Sequence, residues 1–128
     1  MNSLLRQKEG KNGEDMAVLF LKGQGWIIID RNFRIRGGEI DIIAIETDPY
    51  TEEKTLVFVE VKTRTSQEYG SPLEAIGYYK IKTLLKATQF YKMKHPKTPD
   101  LMRIDAVSVL LNEEGQLLDI ELVKNITG

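Results

Sequence analysis

The chain has 128 residues, 41% of them hydrophobic and 29% charged, which suits one soluble domain with a core of its own and is too little for two. Zero cysteines exclude disulfides, thiolate metal sites and a cysteine nucleophile, and a single histidine, His95, excludes a multi-histidine site, so any metal must be held mainly by carboxylates. The formal net charge of -1 hides a segregation: residues 62–97 hold eight Lys or Arg against two acids, whereas residues 1–61 hold eight bases and eleven acids.

A basic middle beside an acidic cluster suits a protein that binds phosphates and holds a metal, although a merely solvated helix gives much the same count. No run approaches a membrane span, and the N-terminal stretch lacks the apolar core of a signal peptide. A cytoplasmic protein away from the membrane is the expectation, with residues 1–128 as a single domain and polar residues 1–11 mobile.

Asn12 reads as an N-cap, with Glu14 and Asp15 in the first turn and an apolar stretch from Met16 to Leu21 before Gly23 and Gly25. Glu14 shares a helical stripe with Ala17, Val18 and Leu21, so it either leans toward a sheet or only complements the helix dipole, and position alone favours the dipole. Trp26 to Asp30 is a first strand. Arg31, Arg34 and Arg36 then lead to Gly37-Gly38; they suit a grip on a phosphate backbone and equally the outer face of an edge strand.

Two strands rich in β-branched residues follow. In Glu39 to Glu46, alternation sets Ile40, Ile42 and Ala44 on one face and Glu39, Asp41, Ile43 and Ile45 on the other; in Thr55 to Thr63 it sets Leu56, Phe58, Glu60 and Lys62 opposite Val57, Val59 and Val61. Charge at positions that a sheet normally buries needs a reason. If the strands are neighbours, Asp41, Glu60 and Lys62 converge, and two carboxylates there suit a hard divalent cation such as Mg2+. The connection from Thr47 to Lys54 reads as a hairpin with exposed acids.

Ser71-Pro72-Leu73-Glu74 is a capping box with proline at the first helical position. Past Gly77 the main helix runs from about Lys80 to Lys94, with Ile81, Leu84, Leu85, Thr88 and Tyr91 buried and Lys82, Lys86 and Lys92 off that stripe. Its lysine face is a nucleic-acid face only if it borders the acidic cluster. The tyrosines and Phe90 suit base stacking, though packing is the more frequent use. His95 complements the dipole at the helix end. Arg103 to Leu111 is a further strand, joined by the turn Asn112-Glu113-Glu114-Gly115 to a last one from Gln116 to Val123; Asp105 suits either the metal site or a structural pairing with Arg103 or a lysine, and the pairing is favoured.

This order is α/β: a mixed central sheet flanked by helices, an αβββαβ core with an extra C-terminal strand. With Gly13-Glu14, Arg31-Asn32-Phe33-Arg34, Gly38-Glu39-Ile40-Asp41, Val57 to Arg64, Gly70, Pro72, Glu74-Ala75-Ile76, Lys80 and Arg103-Ile104-Asp105 in series, the chain resembles the bacterial YraN family of restriction-endonuclease-like proteins in the PD-(D/E)XK nuclease superfamily, related in fold to archaeal Holliday junction resolvases. The resemblance spans residues 9–123. It implies that Asp41 and Glu60 ligate Mg2+ or Mn2+, that Val61 lends a backbone carbonyl, and that Glu14 completes the cluster, contrary to the reading from position alone. Lys62 would orient or activate the attacking water. Arg64 and Lys80 would meet phosphates, with Lys82, Arg34 and Arg36 as further contacts, and Glu39 is a looser member of the shell. The implied activity is metal-dependent hydrolysis of branched or otherwise structured DNA, for which junction cutting would need a homodimer; a binding module with weak or no nuclease activity, or a protein-interaction scaffold, are the alternatives.

Overall fold

Three strands of alternating apolar residues build the middle of one five-stranded sheet in the computed structural model, which describes the backbone of residues 3–66 and 77–128 and the side chains from residue 12 onward, residue 78 excepted. Helix α1 (Ser3–Gly23) leads into β1 (Ile27–Ile35), β2 (Gly38–Thr47) and β3 (Lys54–Thr65); α2 (Tyr78–Lys94) then crosses to β4 (Leu101–Leu111), and β5 (Leu117–Val123) closes the chain. The sheet order is β1-β2-β3-β4-β5, with β3 and β4 parallel and the other neighbours antiparallel. A parallel pair needs a crossover, and α2 supplies it. The α/β architecture with an αβββαβ core and a fifth strand is thus the one expected. No helix among the described residues is long and apolar enough to cross a membrane.

The two helices cover opposite faces. Ala17, Val18 and Leu21 of α1 pack with Ile42, Ala44, Val57, Val59, Val107 and Val109. On the other face Leu84, Ala87 and Tyr91 of α2 pack with Ile40, Ile43, Leu56, Phe58 and Ile104, and the Tyr91 ring meets Phe33 and Phe58 edge-on at 5.1 and 5.8 Å. Both strand faces being buried explains why β3 reads as a nearly continuous apolar run.

Several boundaries differ from those the sequence predicts. Helix α1 begins at Ser3, so Asn12 lies inside it and is not its cap. Strand β1 continues to Ile35, which makes Arg31 and Arg34 strand residues on a sheet edge. Helix α2 starts at Tyr78 with Gly77 as N-cap, and Leu85, expected in the core, is 44% exposed. The capping box at Ser71 to Glu74 lies outside the described residues. Lys92 turns back on the chain instead of facing solvent: its ammonium donates to the carbonyls of Thr98 and Pro99 and pairs with Asp100, fixing the α2–β4 connection.

The largest correction concerns Ile40, which packs on the α2 face although Ile42 and Ala44 pack on the α1 face. Simple alternation would put all three together. Asn32, which falls opposite Asp41 in the β1–β2 register, has φ of 55°, a left-handed conformation that Asn tolerates better than most residues. Its neighbours diverge accordingly, Arg31 reaching α1 and Phe33 reaching Tyr91 of α2. The β1–β2 ribbon therefore rolls over at Asn32 and Asp41.

Candidate functional site

That roll opens the sheet. The ladder between β2 and β3 runs from Thr47↔Lys54 to Ile42↔Val59 and ends there, while β3 keeps its partner β4 as far as Thr65↔Leu111. Past Val59, one edge of β3 has lost its backbone partner, and a buried N–H there needs another acceptor. The Asp41 side chain provides it: Val61 N–H donates to Asp41 Oδ2 at 2.7 Å. Asp41 thus sits in the split between two strands, and not on one face as strict alternation predicts.

Glu60 enters the same split from the α2 side. It is 4% exposed, and its Oε1 lies 3.4 Å from Lys80 Nζ and 3.8 Å from Lys62 Nζ. Its other oxygen, Oε2, is buried without a hydrogen-bond partner among the described residues. Burial, then the neighbouring Glu60, then the more remote Glu14 and Glu39, push the Asp41 carboxyl up to about 7; the Val61 N–H works against them and loses. Asp41 is therefore a carboxyl held beside a second carboxylate in a place that disfavours its charge.

Glu14 faces this centre from α1 but is already engaged. Its Oε1 accepts from Arg31 Nη2 at 3.0 Å and Nε at 3.3 Å, and the same Nη2 meets Asp15 at 2.6 Å. The reading of Glu14 as a first-turn dipole complement is overturned, since α1 starts well before it. Arg31, left open by the sequence between a phosphate grip and an edge-strand position, stands on the edge strand β1 and clamps Glu14. Gly13 lets α1 come this close: a methyl group built there would overlap the Thr63 side chain on β3. Nothing in the sequence ties Gly13 to Thr63, fifty residues apart.

The remaining expected residues divide. Arg34 is 75% exposed and pairs across the hairpin with Glu39 at 3.4 Å, so Glu39 faces an arginine as well as the Asp41 field, and Arg36 is exposed beside the Gly37 turn. Arg64 lies two residues past Lys62 on β3 and is partly buried. Lys82 is exposed on α2, two residues and about 200° around the helix from Lys80. Asp105 is fully buried with Arg103 Nε and Nη2 on its two oxygens at 2.8 and 2.9 Å and Asn125 N–H on Oδ1 at 2.9 Å, the structural pairing expected of it.

Asp41 and Glu60 are a pair with oxygens suited to a hard cation, and Glu60 Oε2, without a partner among the described residues, fits such a group. Among the described residues, no three of His, Cys, Asp or Glu stand close enough to hold a metal ion by themselves. Mg2+ commonly completes its shell with water and substrate phosphate, so a two-carboxylate site is compatible with it. A separate cavity of about 840 Å³, lined by Ile29, Ile45, His95, Pro99 and Leu101 among others, opens at the far end of the sheet and touches none of these residues.

Fold and site together define an α/β protein with a carboxylate–lysine cluster in a split between neighbouring strands. Residues 13–109 match the family model described as "Uncharacterised protein family UPF0102", and the chain belongs to that family, the YraN family of the sequence resemblance. It is 41% identical over 120 residues to a UPF0102 protein of Caldicellulosiruptor saccharolyticus, covering 94% of this chain and 97% of that one. A UPF0102 protein of Geobacter metallireducens is 40% identical over 123 residues (96% and 94%), and one of Clostridium botulinum 42% identical over 119 (91% and 90%). The matched segment contains Glu14, Asp41, Glu60, Lys62 and Lys80.

Proposed function

We propose that this protein is a metal-dependent nuclease that hydrolyses phosphodiester bonds in DNA, with branched or otherwise structured DNA as the preferred class. The observation that carries the reading is the Asp41–Glu60 pair: a carboxyl pushed up to about 7 beside a buried carboxylate whose Oε2 has no partner among the described residues. Carboxylates placed against their own repulsion are characteristic of functional sites. Asp41 and Glu60 would hold Mg2+ or Mn2+, with the Val61 carbonyl and Glu14, directly or through water, completing the set. The cation supplies Lewis acidity toward the scissile phosphate and lowers the pKa of water.

The chain's own groups do the rest. Lys62 orients the attacking water and neutralises charge building on the phosphate, while Lys80 and Arg64 meet phosphate oxygens, and Lys82, Arg34 and Arg36 extend the contact. Lys80 reaches Glu60 from α2, so that helix brings one lysine to the acidic cluster, while Lys82 and Lys86 lie on its outer face. A homodimer belongs to the same proposal where two strands of a junction are cut; β5 is a sheet edge with Leu117 and Leu118 exposed.

A second reading has its own support. Two lysines on Glu60 form an ion cluster that needs no metal, which suits a nucleic-acid-binding module without turnover. Incubating the purified protein with labelled linear, flapped and four-way DNA in Mg2+, Mn2+ or EDTA, alongside Asp41→Ala and Lys62→Ala, separates the two. Metal-dependent cutting that both substitutions abolish is expected. Binding without cutting, indifferent to both, would overturn the nuclease in favour of the binding module.

A further inference from the structure

Helix α2 carries a second feature that the cleavage chemistry does not use. Its seventeen residues include five lysines and no acid, in a chain that holds nineteen acids. At 100° per residue, Tyr79, Lys82, Lys86, Phe90 and Met93 fall within an arc of about 80°, opposite the buried Leu84, Ala87, Thr88 and Tyr91. Tyr79 is 81% exposed, Phe90 46% and Met93 69%. Lys82 and Lys86 have no ionic partner among the described residues, whereas Lys62, Lys80, Lys92 and Lys124 all do.

Single exposed apolar residues are ordinary and need no explanation. Here two aromatic rings bracket two lysines along one stripe, about 16 Å from Tyr79 to Phe90 at 1.5 Å per residue. Lys80, next to Tyr79 in sequence, points about 100° away toward the sheet and touches Glu60, so the stripe and that contact share one end of the helix. Aromatic rings offer a face to any base that is not already stacked in a duplex, and lysines between them match the phosphates that join those bases. A duplex keeps its bases stacked inside and would leave Tyr79 and Phe90 without a role.

We infer that the outer face of α2 is a track for an unpaired nucleic-acid strand, with Tyr79 and Phe90 stacking on bases and Lys82 and Lys86 on the phosphates between them, leading to or from the Asp41–Glu60 centre. The inference rests on the nucleic-acid reading above and narrows its substrate to one with a single-stranded segment beside the scissile phosphate.

Fluorescence anisotropy in EDTA, where nothing is cut, tests the track apart from the chemistry. Labelled dT20, rU20 and a 20-base-pair duplex serve as ligands, and poly-L-glutamate as competitor. The protein is expected to bind an unpaired strand more tightly than the duplex, with DNA and RNA told apart by the first two arms. Tyr79→Ala and Phe90→Ala should each weaken that binding at least about 5-fold, and Phe90→Tyr should restore it. Lys82→Ala with Lys86→Ala should lower the slope of log affinity on log salt by about 1.4. Unchanged affinity in both aromatic variants, or equal competition by poly-L-glutamate, overturns the track, the latter in favour of an acidic protein partner. Binding through Tyr79 and Phe90 with no cutting in Mg2+ or Mn2+ leaves the track standing and removes the nuclease; cutting that ignores both rings does the reverse.

Discussion

Asp41 Oδ2 accepts the Val61 N–H at 2.7 Å, at the point where the β2–β3 ladder has ended. A side chain thereby stands in for a backbone carbonyl, and one carboxylate serves both the sheet and the candidate site. Asp41→Asn keeps an acceptor and removes the charge; Asp41→Ala removes both. Asp41→Ala should therefore be less stable than Asp41→Asn by about 1 to 3 kcal/mol in urea unfolding, the cost of a buried N–H left without a partner. Equal stabilities would mean that water replaces the carboxylate.

The pH dependence follows from the same group. Its folded-state pKa of about 7 lies above the ordinary 3.8, so between those values the folded protein holds a proton that the unfolded chain releases. Stability of the metal-free protein should fall as pH rises through about 4 to 7, by on the order of a few kcal/mol, with the loss complete above the folded value. Asp41→Asn should flatten this slope. Urea melts of both proteins in EDTA at several pH values read the difference directly, and Mg2+ added at pH 8 should stabilise the wild type and leave Asp41→Asn unmoved.

Lys62 and Lys80 share Glu60 Oε1 at 3.8 and 3.4 Å, so removing one leaves the carboxylate with the other. Lys62→Ala should fold normally and still bind DNA, while the rate of cutting falls about 10²- to 10⁴-fold, the range for a lost proton-handling group. Single-turnover cutting with saturating enzyme separates that loss from weaker binding.

Gly13 and Thr63 set the approach of α1 to β3. Alanine at a helix interior gains about 1 kcal/mol over glycine, but overlap with a packed neighbour costs about 1 to 3 kcal/mol. The overlap should win in Gly13→Ala, and trimming the neighbour with Thr63→Ala should turn the same change neutral or stabilising. A double-mutant cycle by thermal unfolding measures that reversal of sign.

Asp105 offers a control remote from the chemistry. It neutralises Arg103, which also meets Glu46 at 2.8 Å and lies 5.9 Å from the Trp26 ring centroid. Asp105→Ala leaves the Arg103 guanidinium, only 20% exposed, with Glu46 alone and the Asn125 N–H without its acceptor, and should cost about 3 kcal/mol. Stabilisation by Mg2+ should be unchanged, because this network shares no residue with the Asp41–Glu60 cluster.

The sequence by itself determined the class of fold and the order of elements, because period-2 apolar runs, turn glycines and a lysine-rich amphipathic stretch are local signals that packing did not override, and the motif series from Gly13-Glu14 to Arg103-Ile104-Asp105 carried the resemblance to the family. It also marked Asp41, Glu60 and Lys62, since charge inside an otherwise apolar strand is visible without coordinates. Only the tertiary structure decided where those charges point. Alternation assumes a flat ribbon, and the left-handed Asn32 rolls β1 and β2 so that Ile40 changes face and Asp41 enters the split beside Val61. The Arg31 clamp on Glu14, the second lysine on Glu60 and the Gly13–Thr63 contact likewise join residues far apart in the chain. Their partners are chosen by how the helices cross the sheet, a property of the packed whole that no local stretch of sequence carries.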